Sequence, residues 1–521
     1  MRIVTATAVT LALVGAAAPA ATAHPPATDG IWRTDGYGTV LSLRNGTLQE
    51  YQTTAVGCMA GDTAQRTGPG AYTTPGGAVL TVRTRGDHDR ASVRLDGDVG
   101  ERNLRRMTEL PDACRRSGPG GPLASFDVFW QSFEENYPFF AAKGIDWHAV
   151  RDRYRPAVHA GTTPDELFAV FGKMVEPLHD AHVAVLDADL DGDGDPDRSF
   201  AQVRPGTVRP DGNLDAEVKK FVVERDLKDA RNLRDFAAGR ITYADLPGGQ
   251  GYLRISGFGG YAGGGASYAA ELAELDRALD TVLGRERPRH LKGLIIDLRI
   301  NGGGSDAMGL HIAGRLTDTP YLAYSKRARN DPADPTRHTR PQDLYVTPAQ
   351  GPRYTGPVAV LTGGSTVSAG ETFTQALMDR PGRTVRIGQP TQGVFSDVLV
   401  RKLPNGMSVW LPNEELLTRS GRTFDGAGIP PHLAEPVFTP EEFDRNKDSA
   451  FDRAVQVLRD HVSRQSDRSP CSASGWSMCV NPRGLPSVGF RFIVNSLHSS
   501  SGRRPWKGPA PLPPSSMRKA L

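Results

Sequence analysis

The stretch LTGGSTVSAGETF, residues 361–373, sets two serines between an apolar run and the start of a helix. Ser368 is the one placed for chemistry. It follows the buried-strand pattern PVAVLT and precedes a helix that opens near Ala369. Its hydroxyl therefore lies beside backbone N–H groups that have no partner within the helix. Those groups and the helix dipole favour a developing negative charge, as an acyl-transfer nucleophile requires. The G-x-S-x-G elbow of α/β-hydrolases is not met, because Thr366 stands two residues before Ser368. A plain helix cap is the competing account. Ser365 sits in the approach turn and carries no chemical role.

A second helix-start turn, NGGGS at 301–305, adds a partner. Its glycines let the backbone approach a bound group closely, and one of their N–H groups could join that of Ala369 in an oxyanion hole. A phosphate loop is the rival reading, but the G-K-[ST] ending is absent. A serine hydroxyl does not ionise near neutral pH, so a base is required. Of the twelve histidines, His182 lies where a helix gives way to a strand, a position where sites gather. His179 and His182 could suggest a metal pair, but no third ligand and no H-E-x-x-H accompany them.

The elements that must hold these residues are legible in outline. SFDVFWQSFEENYPFF carries Phe126, Phe129, Trp130, Phe133 and Tyr137 at helical spacing, a core stripe. TTPDELFAVFGKMVEPL predicts a helix capped by Thr163, with Pro164 in its first turn and Glu166 closing a capping box. Leu167, Val170, Phe171, Met174 and Leu178 form its apolar face, and it should end near Pro177–Leu178 before the strand in HDAHVAVLDA. From about residue 250, strands such as GYLRIS, LKGLIIDLRI and PVAVLT alternate with helices such as ASYAAELAELDRALDTVL, which argues an α/β fold with a largely parallel sheet.

Upstream, residues 28–110 alternate short β-like runs with glycine-rich turns. Asn45-Gly46 marks a hairpin, and a small all-β domain over 24–116 is expected before the linker RRSGPGGP. DADLDGDGDPD at 187–197 has calcium-loop aspartate spacing, but Arg198 or Phe200 stands where the twelfth-position glutamate belongs, so an acidic hairpin tip competes with a calcium site.

At 521 residues the chain is too long for one compact domain, and its net charge of +3, from 62 basic and 59 acidic residues, argues against a nucleic-acid partner. Arg2, a small-residue apolar run and ATA at 21–23 predict a removable export signal over 1–23. No other segment is apolar enough to span a bilayer, so a secreted, extracellular protein without a membrane partner is expected. Disulfides fit that setting. Chain order suggests Cys58–Cys114 and Cys471–Cys479, although four cysteines allow three pairings. Residues 465–521, rich in Ser, Pro and Arg, should be a disordered tail.

Taken together, LHDAHV, GLIIDLRINGGGS, VAVLTGGSTVSAGETF, RIGQPTQG and FDGAGIPPH occur in the order found in tail-specific (C-terminal processing) proteases and the tricorn core protease, and the chain resembles that family over roughly 123–435. The resemblance implies a crotonase-like α/β catalytic domain with an N-terminal helical segment, within a catalytic region over 123–460. It implies a serine peptidase with Ser368 as nucleophile and the N–H groups of Ala369 and Gly303, or the neighbouring Gly304, as oxyanion donors. The bacterial tail-specific branch places a lysine base where this chain has Val394, which cannot accept a proton. The tricorn-like branch uses a histidine, here His182, and an acid, here Asp425 where glutamate is usual. Ala181 stands where tricorn has a serine before that histidine. No PDZ sequence is evident between the histidine and the sheet. A polypeptide substrate is implied, with no metal and no organic cofactor; a homo-oligomer is left open. Two other classes use the same scaffold: a ligand- or peptide-binding protein without catalysis, and a crotonase-type acyl-transfer enzyme.

Overall fold

Burial alternates along the first strands, and that alternation closes them into a barrel. In the strand Thr39–Arg44 and its neighbours, Trp32, Leu41, Leu43, Leu48, Tyr72, Val82 and Leu104 turn inward and pack together. Eight antiparallel strands, from Gly30–Thr34 to Arg102–Met107, form the closed barrel, with first and last strands paired. The computed structural model describes residues 28–466, apart from 87–88, 117, 119, 189–195 and 285–289. The expected export signal, the Cys471–Cys479 pair and the tail beyond 466 lie outside the described residues. Asn45 and Gly46 both take positive φ (52° and 80°) between the strands Thr39–Arg44 and Thr47–Thr54, the conformation an Asn-Gly hairpin turn demands. A Cys58–Cys114 disulfide ties the barrel to the segment that leaves it, closing a 56-residue loop. Chain-entropy arguments put that constraint at about 4 kcal/mol.

The helical block follows the predicted pattern. In α1 (Gly121–Asn136), Phe126, Phe129 and Phe133 are fully buried, and the Phe129 ring stacks on Phe171 of α2 (Pro164–Val175) at 4.0 Å between centroids. Thr163 and Glu166 form the expected capping box at the start of α2. A single 3-10 turn, Glu176–Leu178, extends α2 before the chain enters the short strand Ala184–Leu186. That strand joins a four-stranded sheet with Ser199–Ala201, Ser408–Pro412 and Val398–Lys402.

The central sheet has seven strands, ordered Arg231–Phe236, Ile241–Asp245, Gln250–Ile255, Gly293–Asp297, Val358–Thr362, Thr384–Gly388 and Leu433–Ala434. Pairing is antiparallel across the first three and parallel from Gln250–Ile255 onward. Gly293–Asp297 and Val358–Thr362 are buried throughout, as strands covered on both faces must be. The helices α3 (Gly212–Arg225), α4 (Tyr268–Val282), α5 (Asp306–Gly314), α6 (Ala369–Ala376) and α7 (Ser449–Ser466) complete the region; α3 and α7 were not anticipated from the sequence. Leu275, Leu279 and Val282 of α4 pack on one side of the sheet; Phe451, Ala454 and Leu458 of α7 join the core on which Val218 and Val222 of α3 also sit.

A buried ionic network joins the barrel to this region. Lys326 Nζ lies 3.3 Å from Asp397 and 3.2 Å from Glu414, and the barrel's Tyr37 hydroxyl donates to Glu414 at 2.5 Å. Asp98 and Arg102 of the barrel act on the same charges. Burial, reinforced by Asp397, pushes the Asp98 carboxyl up to about 7. Burial also works against Lys326, but Glu414 and Asp397 hold its ammonium well above the ordinary range. Such groups tolerate burial only because each faces an opposite charge.

Candidate active site

Ser368 sits on a strained turn. After the buried strand Val358–Thr362 and the bridge residues Ser365–Thr366, it takes φ 58° and ψ −121°, and α6 begins at the next residue. A non-glycine residue held there costs about 1–3 kcal/mol, and such strain concentrates at functional sites. The Ser368 N–H donates to the Val394 carbonyl at 3.1 Å and reaches Glu371 Oε2 at 3.3 Å. The Ala369 N–H, at the buried first position of α6, has no acceptor among the described residues. Ser365 donates its hydroxyl to the Val208 carbonyl, a structural bond.

The glycine turn lies directly against this serine. A Cβ on Gly303 would fall 2.6 Å from Ser368 Cβ and 3.1 Å from its Oγ, and Gly303 has φ +84°, so only glycine fits. The buried Asn301 holds the turn: its Oδ1 accepts the Gly303 N–H at 2.9 Å, its Nδ2 donates to the Ile255 carbonyl at 2.8 Å, and its own carbonyl accepts the Val367 N–H. The Gly303 N–H is therefore engaged, whereas that of the exposed Gly304 has no acceptor among the described residues.

His182 follows the 3-10 turn as expected and is 9% exposed. Asp180 orders its backbone: Oδ1 accepts the His182 N–H at 3.0 Å, and Oδ2 accepts the Tyr137 hydroxyl at 2.8 Å. Burial pushes the ring below its ordinary 6.5; Arg209 adds to this, while Asp180, Asp397 and the Ser396 carbonyl oppose it. Nδ1 is buried without a hydrogen-bond partner among the described residues. Ala181, Val367 and Val394 pack in one cluster, so the residues preceding His182 and Ser368 touch the position where a lysine base would stand.

Asp425 is bonded to segment 393–397, next to this neighbourhood. Its Oδ1 accepts the Phe395 N–H at 3.2 Å and its Oδ2 accepts the Thr423 hydroxyl. Burial pushes its carboxyl up to about 7, against those two bonds. No hydrogen bond links Asp425 to His182 among the described residues. The structure thus brings Ser368, Ala369 and Gly303 into contact, sets His182 beside them through Ala181, and bonds Asp425 to Phe395 of the loop that carries Val394.

The family model for peptidase family S41 matches residues 249–434, and that for the tricorn protease C1 domain matches 123–176. Both matches support a tail-specific protease family. A carboxy-terminal-processing protease of Bartonella bacilliformis is 24% identical over 261 residues, 49% of this chain and 54% of that protein. Carboxyl-terminal-processing peptidase 2, chloroplastic, of Arabidopsis thaliana is 27% identical over 157 residues, 30% of this chain and 28% of that protein. The chain thus spans about half, or less, of the length of these relatives. Among solved structures, a candidate peptidase from Parabacteroides merdae superposes with a TM-score of 0.54 at 25% identity, covering 65% of this chain and 97% of that one.

Two residues of this site escaped the sequence reading. Glu371 is fully buried and ties the nucleophile turn to the neighbouring loop: Oε1 accepts the Gly393 N–H at 2.7 Å, and Oε2 accepts the Val394 N–H at 2.8 Å as well as that of Ser368. Burial pushes its carboxyl up to about 8, against bonds from Thr391, Val394 and Gly393. Its signal was present, since Ser368 and Glu371 have the S-x-x-E spacing of a capping box. Asn301 had no such signal, because its role depends on Ile255 and Gly303. In the acidic loop, Asp187 pairs with Arg198, and residues 189–195 lie outside the described residues.

Proposed function

We propose that this chain is a secreted serine peptidase with a crotonase-like catalytic fold, in which Ser368, His182 and Asp425 form the catalytic set. The observation that carries the reading is the strained Ser368 turn, with Gly303 packed on the serine and a free Ala369 N–H beside it. In the proposed reaction Ser368 Oγ attacks a peptide carbonyl. His182, neutral because it is buried, takes the hydroxyl proton and returns it to the leaving amine. The Ala369 N–H stabilises the oxyanion together with the glycine turn: Gly303 frames the hole, and Gly304 supplies the unengaged N–H. Water then cleaves the acyl-serine by the same steps in reverse roles. Asp425 orients and stabilises the imidazolium after rotating from Thr423, while Asp180 and Asp397 already bias the ring towards its charged form.

The experiment is cleavage of unfolded casein and peptide libraries by the wild type, Ser368→Ala and His182→Ala. The wild type should cleave and both variants should fall by at least about 1,000-fold. Wild-type inertness would favour a binding protein on the same scaffold, and unchanged cleavage by Ser368→Ala would rule out the nucleophile. Asp425→Asn should lower kcat more than Asp180→Asn; the reverse order would move the acid role to Asp180.

A further inference from the structure

A cavity of about 480 Å³ opens beside the oxyanion turn, lined by Gly302, Gly303 and Gly304 on one side and by Ser256, Gly257, Gly259 and Gly260 on another. Arg240 forms part of its wall. The other charged groups of the lining are already engaged. Asp211 caps α3 by accepting the Leu214 N–H at 2.8 Å, and Asp215 pairs with Arg254. Arg240 is an exposed residue, and its guanidinium has no carboxylate partner among the described residues. It lies along the glycine wall: a Cβ on Gly260 would fall 3.5 Å from its Nε, and one on Gly257 3.7 Å from its Nη1. The Arg240 carbonyl accepts the Ser256 N–H at 3.0 Å, so the residue's backbone is tied to that same wall.

The cavity therefore presents one unmatched planar cation on a side-chain-free shelf. That shelf is continuous with the glycine that touches Ser368. A guanidinium placed along such a wall recognises carboxylate, often through two parallel hydrogen bonds. We propose that the cavity is a substrate subsite for a carboxylate carried by the residue next to the scissile bond, with Arg240 as its specificity determinant. This rests on the peptidase reading above. The carboxylate comes either from an Asp or Glu side chain or from the free C-terminus of the peptide.

Four peptides sharing one sequence separate these sources: an acidic residue beside the cleaved bond, its amide counterpart, and each of these with a free or an amidated C-terminus. The wild type should prefer the carboxylate-bearing member by ten- to a hundred-fold in kcat/KM, with the difference residing mainly in KM. A preference that follows the side chain identifies Asp or Glu; one that follows the terminus identifies the free C-terminus. Arg240→Gln should bring the preference ratio to about one, Arg240→Lys should restore part of it, and Arg240→Glu should reverse it towards lysine-bearing peptides. Cleavage of the amide peptide with no preference for the carboxylate, or a ratio that survives in Arg240→Gln, overturns the subsite and leaves the peptidase reading standing. Titration of the Ser368→Ala protein with the same peptides gives a readout independent of turnover: equal Kd for acid and amide forms overturns the subsite even if no peptide is cleaved.

Discussion

Replacing Glu371 by glutamine tests whether this buried carboxyl assembles the nucleophile turn. The two Oε atoms accept three backbone N–H groups, from Ser368, Gly393 and Val394, in a fully buried place. Glutamine keeps one acceptor oxygen and sets an NH₂ group against at least one of those donors. A buried donor left without its acceptor costs about 1–3 kcal/mol. The pH dependence is more specific. The folded carboxyl titrates at about 8, against 4.5 when unfolded. Its contribution is therefore fully present below about pH 4.5 and declines as pH rises towards 8, by up to about 1.4 kcal/mol per pH unit. Glutamine has no such dependence. Urea unfolding of both proteins at pH 5, 6.5 and 8 should show the variant most destabilised at pH 5, with the gap narrowing as pH rises. A gap that widens with pH would refute a carboxyl that holds its proton, and no gap at any pH would refute the bridging role itself.

Burial lowers the His182 pKa, and in the proposed mechanism the neutral ring is the base. The His182 contribution to the acid limb of kcat/KM should therefore fall below pH 6.5; a limb near pH 7 should belong to Asp425, whose carboxyl is pushed up to about 7, and should vanish in Asp425→Asn, whereas a limb at pH 7 that survives in that variant would count against the histidine assignment. Lys326→Met strips Asp397 and Glu414 of their shared cation and should cost about 3–5 kcal/mol in urea unfolding; adding Glu414→Gln should recover part of it. Val394→Lys would place an ammonium between Ala181 and Val367, so the melting temperature should drop with no gain in peptide cleavage; a gain in activity would refute the histidine base.

Features set by neighbours in sequence were legible, and features set by distant packing were not. The Thr163 cap, the Asn45-Gly46 turn and the aromatic face of α1 each depend on residues within a turn or two, and each stands as read. The alternation of residues 28–110 foretold strands, but closure into a barrel depends on pairing Gly30–Thr34 with Arg102–Met107, which no local pattern encodes. At the site, the positions of Ser368 and His182 at element junctions were readable from helix and strand periodicity. The engagement of the Gly303 N–H by Asn301, and of both Asp425 oxygens by Phe395 and Thr423, arises only when separate loops meet. Lys326 carries no local signal for the same reason: its counter-charges, Asp397 and Glu414, lie far along the chain.

Tyr37 and Glu414 are 377 residues apart in sequence, and that interval has a consequence during synthesis. The barrel pairs strand by strand in chain order and can close as soon as it leaves the ribosome, with Tyr37, Asp98 and Arg102 still in water. Lys326, Asp397 and Glu414 emerge much later, and Asp425 later still. The nascent polypeptide therefore carries Ser368, the proposed nucleophile, for many residues before the loop around Val394 and the proposed acid Asp425 have been made. On the proposed mechanism, a chain made in this order stays inert towards its own unfinished length until Asp425 has emerged and docked on Phe395.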